Sequence, residues 1–169
     1  MNNRSKSFVV FLIFFFLSIL INAFILINAF IPGDESAVTS FWVADILATV
    51  INFLKANTIN SGNIDSFTYV VRKVVGHFGL FLFDGLFVGI TFYLFDSLKK
   101  KLNFWLSTLL IFLTGAFVAS ASEMIQVFIP GRVGSLTDVL IDMSGYLLAF
   151  VIIFLIFFIR QFKKEQTKK

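Results

Sequence analysis

Residues 8–31 read FVVFLIFFFLSILINAFILINAFI, without one charged side chain. As an α-helix rising about 1.5 Å per residue this stretch reaches roughly 36 Å, more than the ~30 Å hydrocarbon core of a bilayer, so it can span with tilt. A cleaved signal peptide has a shorter apolar region followed by a small-residue cleavage site. This run is too long and no clear Ala-x-Ala follows it, so it reads as an uncleaved anchor. The rest of the chain agrees: 58% of the residues are hydrophobic and 14% charged, with a mean hydropathy of +0.92, far from a soluble globular composition. The expected fold is all-α, a polytopic membrane helical bundle forming a single domain over residues 1–169, with no length left for a separate soluble domain. The absence of cysteine excludes a disulfide framework, a thiolate zinc site, iron–sulfur ligation and a cysteine nucleophile.

Working outward from the first span, further spans are expected at about 74–95, 104–122 and 139–159. Pro32 and Gly33 break the first helix, and Asp34, Glu35 and Ser36 read as a turn into the next. Between about 38 and 56, Trp42, Ile46, Val50 and Phe53 fall on one side and Asp45, Thr49 and Asn52 on another. Asp45 and Lys55 make this a poor span and an amphipathic helix that lies in the interface or against the bundle. Asn57 to Ser66 reads as a solvated loop. Ten of the fourteen Lys and Arg residues flank apolar runs: Arg4 and Lys6; Lys99, Lys100 and Lys101; Arg160, Lys163, Lys164, Lys168 and Lys169. Basic residues resist translocation, so these clusters put both termini in the cytoplasm with four crossings, and the amphipathic helix on the extracytoplasmic side. Basic residues spread along membrane flanks are no nucleic-acid footprint, and no nucleic-acid partner is expected.

This topology gathers the unusual polar residues at the outer face. Lys73, His77 and Asp84, four and seven residues apart, share one helix face, with Asp84 about 10 Å deeper. An ionisable group at that depth needs a partner, for which Arg132 or a buried hydroxyl are the candidates; a neutral Asp bonded to a neighbouring helix is the plain alternative. Glu123 and Gln126 are three apart at the outer end of the third span. Pro130-Gly131-Arg132-Val133-Gly134-Ser135 demands a turn or re-entrant segment, after which Asp138, Asp142 and Gly145 line one face of the last helix. Ser135 or Thr137 suits its cap, and Asp138 suits the positive end of its dipole.

Arg72, Lys73, His77, Asp84, Glu123, Gln126, Arg132, Ser135, Asp138 and Asp142 are therefore the candidate site. A salt-bridge network, a divalent-metal site and a polar-headgroup site all remain open. No spacing matches a strong metal signature, so no metal ligands and no cofactor are assigned. A Ser135–His77–Asp138 triad lacks a Gly-x-Ser-x-Gly elbow. Gly85 and Gly89, and Gly115 with Ala119, have the small-residue spacing of close helix contacts, within the bundle or in a homo-oligomer. The 25 Phe residues read as packing and lipid contact.

In order along the chain, Arg72-Lys73 with His77-Phe78, then Glu123-x-x-Gln126, Pro130-x-Arg132-x-x-Ser135-x-x-Asp138 and Asp142-x-x-Gly145 resemble the VanZ-like proteins. Gly33-Asp34-Glu35-Ser36 and Ser40 resemble that family's Ser-containing loop more weakly, and the matches extend from about residue 31 to 148. The resemblance implies a multi-pass protein of the bacterial cytoplasmic membrane, in a family whose namesake is associated with low-level resistance to teicoplanin, a glycopeptide that binds cell-wall precursors outside the membrane. Two departures stand out: Leu80 and Phe81 occupy the place where members often carry a Glu-Tyr pair, and Asp142 replaces an Asn found in many members.

Three functions are compatible with this reading. The first is binding or modifying an outer-leaflet envelope lipid or glycolipid headgroup, lowering glycopeptide action. The second is acid–base or metal-assisted transfer on a lipid-linked substrate. The third is a structural partner in envelope assembly, with the polar set serving helix packing. A transporter fits less well, because the polar positions concentrate at one face and no inverted repeat or broken helix pair is evident.

Overall fold

A computed structural model of the chain describes residues 3–99 and 104–166, and every regular element among them is helical. The helices are α1 (Asn3–Ala29), α2 (Gly33–Leu54), α3 (Ile64–Val71), α4 (Leu80–Lys99), α5 (Phe104–Val127) and α6 (Leu136–Gln166), with a π-helical segment, Arg72–Gly79, joining α3 to α4 without a break. Of the basic clusters at the membrane flanks, only Lys6 has a described side chain; Lys100, Lys101, Lys168 and Lys169 fall outside the described residues altogether.

The element boundaries follow from local chemistry. A proline pushes the residue before it out of the helical region, and α1 ends at Ala29, three residues ahead of Pro32. Pro32 then serves as the N-cap of α2, whose first turn carries Asp34 and Glu35 at the positive end of the dipole. Helix therefore begins at Gly33, where the sequence suggested a turn through Ser36. At the other end of α2, Lys55 is extended and Asn57 takes a positive φ of 58°, which Asn tolerates. Asn52 ties this loop down: its Nδ2 donates to the Ile59 carbonyl at 2.7 Å and its Oδ1 accepts the Ile59 N–H at 2.9 Å. The loop is shorter than expected, because helix resumes at Ile64 with Asp65 in its first turn.

Five stretches among the described residues are long and apolar enough to cross a bilayer by length and composition: Lys6–Ala29, Gly33–Leu54, Ile64–Phe95, Leu106–Val127 and Leu136–Ile156. The protein is a multi-pass membrane protein. The stretch expected to lie in the interface thus has the length to cross as well.

Four helices, α1, α4, α5 and α6, pack into one bundle in which α4 touches the other three. Its core runs through Ile25, Phe81, Val88, Ile111, Val118, Ala119 and Tyr146. Small residues set the helix separations. A Cβ on Gly85 would come within 2.8 Å of Ala149 Cβ, and one on Gly115 within 2.8 Å of the Tyr146 ring. Gly89 faces Ile153. Gly85, Gly89 and Gly115 of the small-residue pairs flagged in the sequence thus serve contacts with α6 inside the bundle.

By contrast, α2 packs chiefly on α3, burying Ala44 and Ala48 and leaving Trp42, Ile46 and Phe53 exposed on one side and Asp45 on another. Its start is fixed to the loop between α5 and α6: the Gly33 N–H donates to the Pro130 carbonyl at 3.0 Å. Next to that bond Gly131 has φ +71°, a conformation that costs an L-residue about 1–2 kcal/mol. The end of α1, the starts of α2 and α6, the end of α5 and the π segment therefore meet at one end of the bundle, the polar end.

Candidate functional site

Three elements bring the charged residues together at the polar end. In a π-helix each N–H bonds five residues back, which widens the turn, and such segments are frequent at functional sites. Here the Leu80 N–H bonds the Val75 carbonyl as well as that of His77. The backbone of this segment lies directly against α6, since a Cβ on Gly145 would fall on the Phe78 carbonyl. That approach seats His77 beside Asp142, one turn before Gly145. His77 Nδ1 lies 3.1 Å from Asp142 Oδ1 and 4.0 Å from Glu123 Oε1, and its Nε2 is 3.7 Å from Asp138 Oδ2. Lys73, one turn earlier, pairs with Asp138 and sits over the Tyr69 ring at 5.4 Å. A buried carboxylate needs such partners, because desolvating an unpaired charge is costly.

The third element is α5, which continues to Val127 and so carries Glu123 and Gln126 on its last turns. Gln126 Nε2 donates to Glu123 Oε1 at 2.8 Å, and Gln126 Oε1 accepts Arg132 Nε at 3.0 Å. The other carboxylate oxygen of Glu123 accepts the backbone N–H of Ser135 at 2.9 Å. Gly134 permits this fold-back, as a Cβ there would strike the Glu123 carbonyl. Ser135 stands just before α6, and its carbonyl accepts the N–H groups of Asp138 and Val139. It contributes to the site through its backbone.

The result is a small pocket of about 80 Å³ at the junction, whose lining includes Ser36, Ser40, Arg72, His77, Glu123, Arg132 and Asp142. His77, Glu123, Gln126, Asp138 and Asp142 are all buried, Asp142 completely. Two polar atoms here have no hydrogen-bond partner among the described residues, Asp142 Oδ2 and Arg132 Nη1. Burial pushes the Arg132 guanidinium below its ordinary value, and the neighbouring Arg72 pushes the same way, partly offset by Glu123 and Asp138. Two cations thus line one pocket, and Arg72 destabilises the charge on Arg132.

The placement of the candidates corrects the sequence reading at one residue. Asp84 does not join the cluster and is not paired with Arg132. It is completely buried in α4 and accepts a hydrogen bond from Asn22 Nδ2 of α1 at 2.7 Å. Asp84 lies seven residues further along the chain than His77, inside α4, where Asn22 of α1 and not the loop residue Arg132 meets it. The other nine candidates come together at the polar end. Sequence reasoning missed Asn22, whose only signal was an amide inside a long apolar run, and missed the π segment, marked only by Gly76 and Gly79 around His77.

Among the described residues, His77, Glu123 and Asp142 each offer a ligand atom, all within 4.8 Å of one another. The His77–Asp142 contact also has the geometry of an imidazole oriented by a carboxylate.

No curated protein and no solved structure matches this chain. A family model described as VanZ/LLP1, however, matches residues 13–158, a span that contains α2, the π segment, the loop after α5 and every residue of the polar cluster. The chain belongs to the VanZ/LLP1 family.

Proposed function

We propose that the polar end faces outward from the bacterial cytoplasmic membrane and that its pocket binds the anionic headgroup of an envelope lipid or glycolipid, lowering susceptibility to teicoplanin-type glycopeptides. The observation that carries this reading is the Arg72–Arg132 pair. Two guanidinium groups lining one pocket, one with a buried and unpartnered Nη1, are stabilised by an anion placed between them, and Arg is suited to bidentate contact with phosphate or carboxylate. Ser36 and Ser40 add polar lining from α2, the Ser40 hydroxyl donating to the Ser36 carbonyl at 2.9 Å. In this arrangement α1, α4, α5 and α6 make four crossings with both termini cytoplasmic, as the basic flanks require. The α2 helix lies at the outer interface, supported by its packing on α3 and by exposed Asp45.

A second reading, transfer chemistry on a lipid-linked substrate, is favoured by one observation: His77 between Asp142, Glu123 and Asp138 is a buried imidazole with carboxylates on both ring nitrogens, an arrangement able to take up and return a proton.

Binding is tested on detergent-solubilised protein by native mass spectrometry with phosphatidylglycerol and phosphatidylcholine. Wild type retains the anionic lipid preferentially, and the Arg72→Gln/Arg132→Gln variant loses at least about tenfold in that preference, the equivalent of ~1.4 kcal/mol. Equal retention of both lipids by wild type contradicts the proposal.

A further inference from the structure

We infer that His77, Glu123 and Asp142 form a binding site for one divalent transition-metal ion, Zn²⁺ or Mn²⁺, in the floor of the polar pocket. The donors come from three different elements, the π segment, α5 and α6, and their ligand atoms lie within 4.8 Å of one another. Separations of 3.1 Å between His77 Nδ1 and Asp142 Oδ1 and 4.0 Å between His77 Nδ1 and Glu123 Oε1 suit an ion about 2.0–2.2 Å from each donor. One imidazole with two carboxylates, and coordination positions left open toward the pocket, is a nitrogen–oxygen set that suits Zn²⁺ or Mn²⁺.

An independent observation points to a ligand: Asp142 is completely buried, lines the pocket, and its Oδ2 has no partner. A carboxylate oxygen desolvated without a donor is costly unless something cationic meets it. The outer contacts agree with a metal as well. With Nδ1 ligating, the imidazole carries its proton on Nε2, which faces Asp138 Oδ2 at 3.7 Å, and Asp138 is itself held by Lys73. A carboxylate behind the far nitrogen of a ligating His fixes its tautomer and raises its basicity. Glu123 is likewise held by the Ser135 N–H and the Gln126 amide, leaving lone-pair capacity for an ion.

The ion deepens the headgroup reading and, in that respect, rests on it. Arg72 and Arg132 line the pocket with or without the ion, and a divalent cation adds positive charge beside them that an anionic headgroup meets.

The test uses the full chain in detergent, stripped with EDTA and reloaded with Zn²⁺, Mn²⁺, Mg²⁺ or Ca²⁺ alone, with no lipid added. Bound metal is measured by mass spectrometry of the digested protein, and thermal unfolding is followed in parallel. The expected result is about one Zn²⁺ or Mn²⁺ retained per chain with a raised melting temperature, lost in His77→Ala, Glu123→Gln and Asp142→Asn, and kept in Asp45→Asn. Because those three variants risk misfolding, the wild type is also examined by pulsed electron paramagnetic resonance with Mn²⁺ and ¹⁵N-labelled histidine, where a directly coupled nitrogen is expected. Retention of no transition metal, retention unchanged by all three substitutions, or bound Mn²⁺ without nitrogen coupling overturns the site. Such a failure leaves the lipid preference of the Arg pair standing, so the two readings fail separately.

Discussion

The contact that seats His77 against Asp142 is a backbone contact at Gly145, and it fixes the sign of two otherwise identical substitutions. In Gly145→Ala the new Cβ falls on the Phe78 carbonyl. A main-chain oxygen inside a helix cannot swing aside, so α6 must move away from the π segment. Overpacking of this kind costs about 1–3 kcal/mol, and losing the His77–Asp142 hydrogen bond, charge-assisted and buried, costs about 1.5–3 kcal/mol more. Replacing a helical Gly returns about 0.5–1 kcal/mol. The net expectation is a loss of about 1.5–5.5 kcal/mol. In Gly76→Ala, one π turn away, the nearest atom is Arg72 Cγ at 4.0 Å and φ is not positive, so only the helical gain remains, between zero and about 1 kcal/mol of stabilisation. Reversible unfolding in mixed micelles, followed by far-ultraviolet circular dichroism, compares the two. Stabilities within about 0.5 kcal/mol of one another would refute the reasoning that α6 rests on the backbone of the π segment.

Three further outcomes follow from the same geometry. Lys73→Met leaves the buried Asp138 carboxylate without its cation and is expected to cost about 3–5 kcal/mol, while Lys73→Met/Asp138→Leu recovers most of it; a double-mutant cycle in the same unfolding assay measures the coupling. Gly131→Ala forces a side chain into φ +71° beside Gly33 and is expected to lose about 1–2 kcal/mol, with Gly131→Asn losing less, read by thermal unfolding. Asn22→Ala removes the hydrogen bond to buried Asp84 and is expected to cost about 1–3 kcal/mol without changing lipid preference, because neither residue lines the pocket; a changed preference would return Asp84 to the site.

Much of the architecture was written in hydropathy and punctuation. An all-helical, multi-pass chain follows from uncharged runs such as 8–31, and Pro32 with Pro130-Gly131 marks the two turns that the structure joins by a backbone hydrogen bond. Asp138, Asp142 and Gly145 were legible as one face because α6 is regular there. The partner of Asp84 was misread because depth outweighs helix face: Arg132 stands in the loop at the polar end, whereas Asp84 lies inside α4 and meets Asn22 of α1. Asn22 escaped because a single amide in an apolar helix does not disclose which neighbouring helix it faces. The contribution of Ser135 escaped because a backbone N–H has no sequence signature. The boundaries of α2 were read too far along because Asp34 and Glu35 suit both a polar turn and a helical first turn, and its Asp45 spoke against a span that length and hydropathy allow.

The central claim, an outward pocket, is tested most directly by accessibility at Val133, which is 83% exposed in the loop between α5 and α6. The chain has no cysteine, so Val133→Cys introduces a single reporter, and Lys6→Cys at the other end of α1 provides the opposite-side control. Intact cells are treated with a membrane-impermeant maleimide before and after permeabilisation. An outward pocket requires labelling of Val133→Cys in intact cells and of Lys6→Cys only after permeabilisation. The reverse pattern would place the Arg72–Arg132 pocket on the cytoplasmic side and contradict a role at the outer face of the membrane.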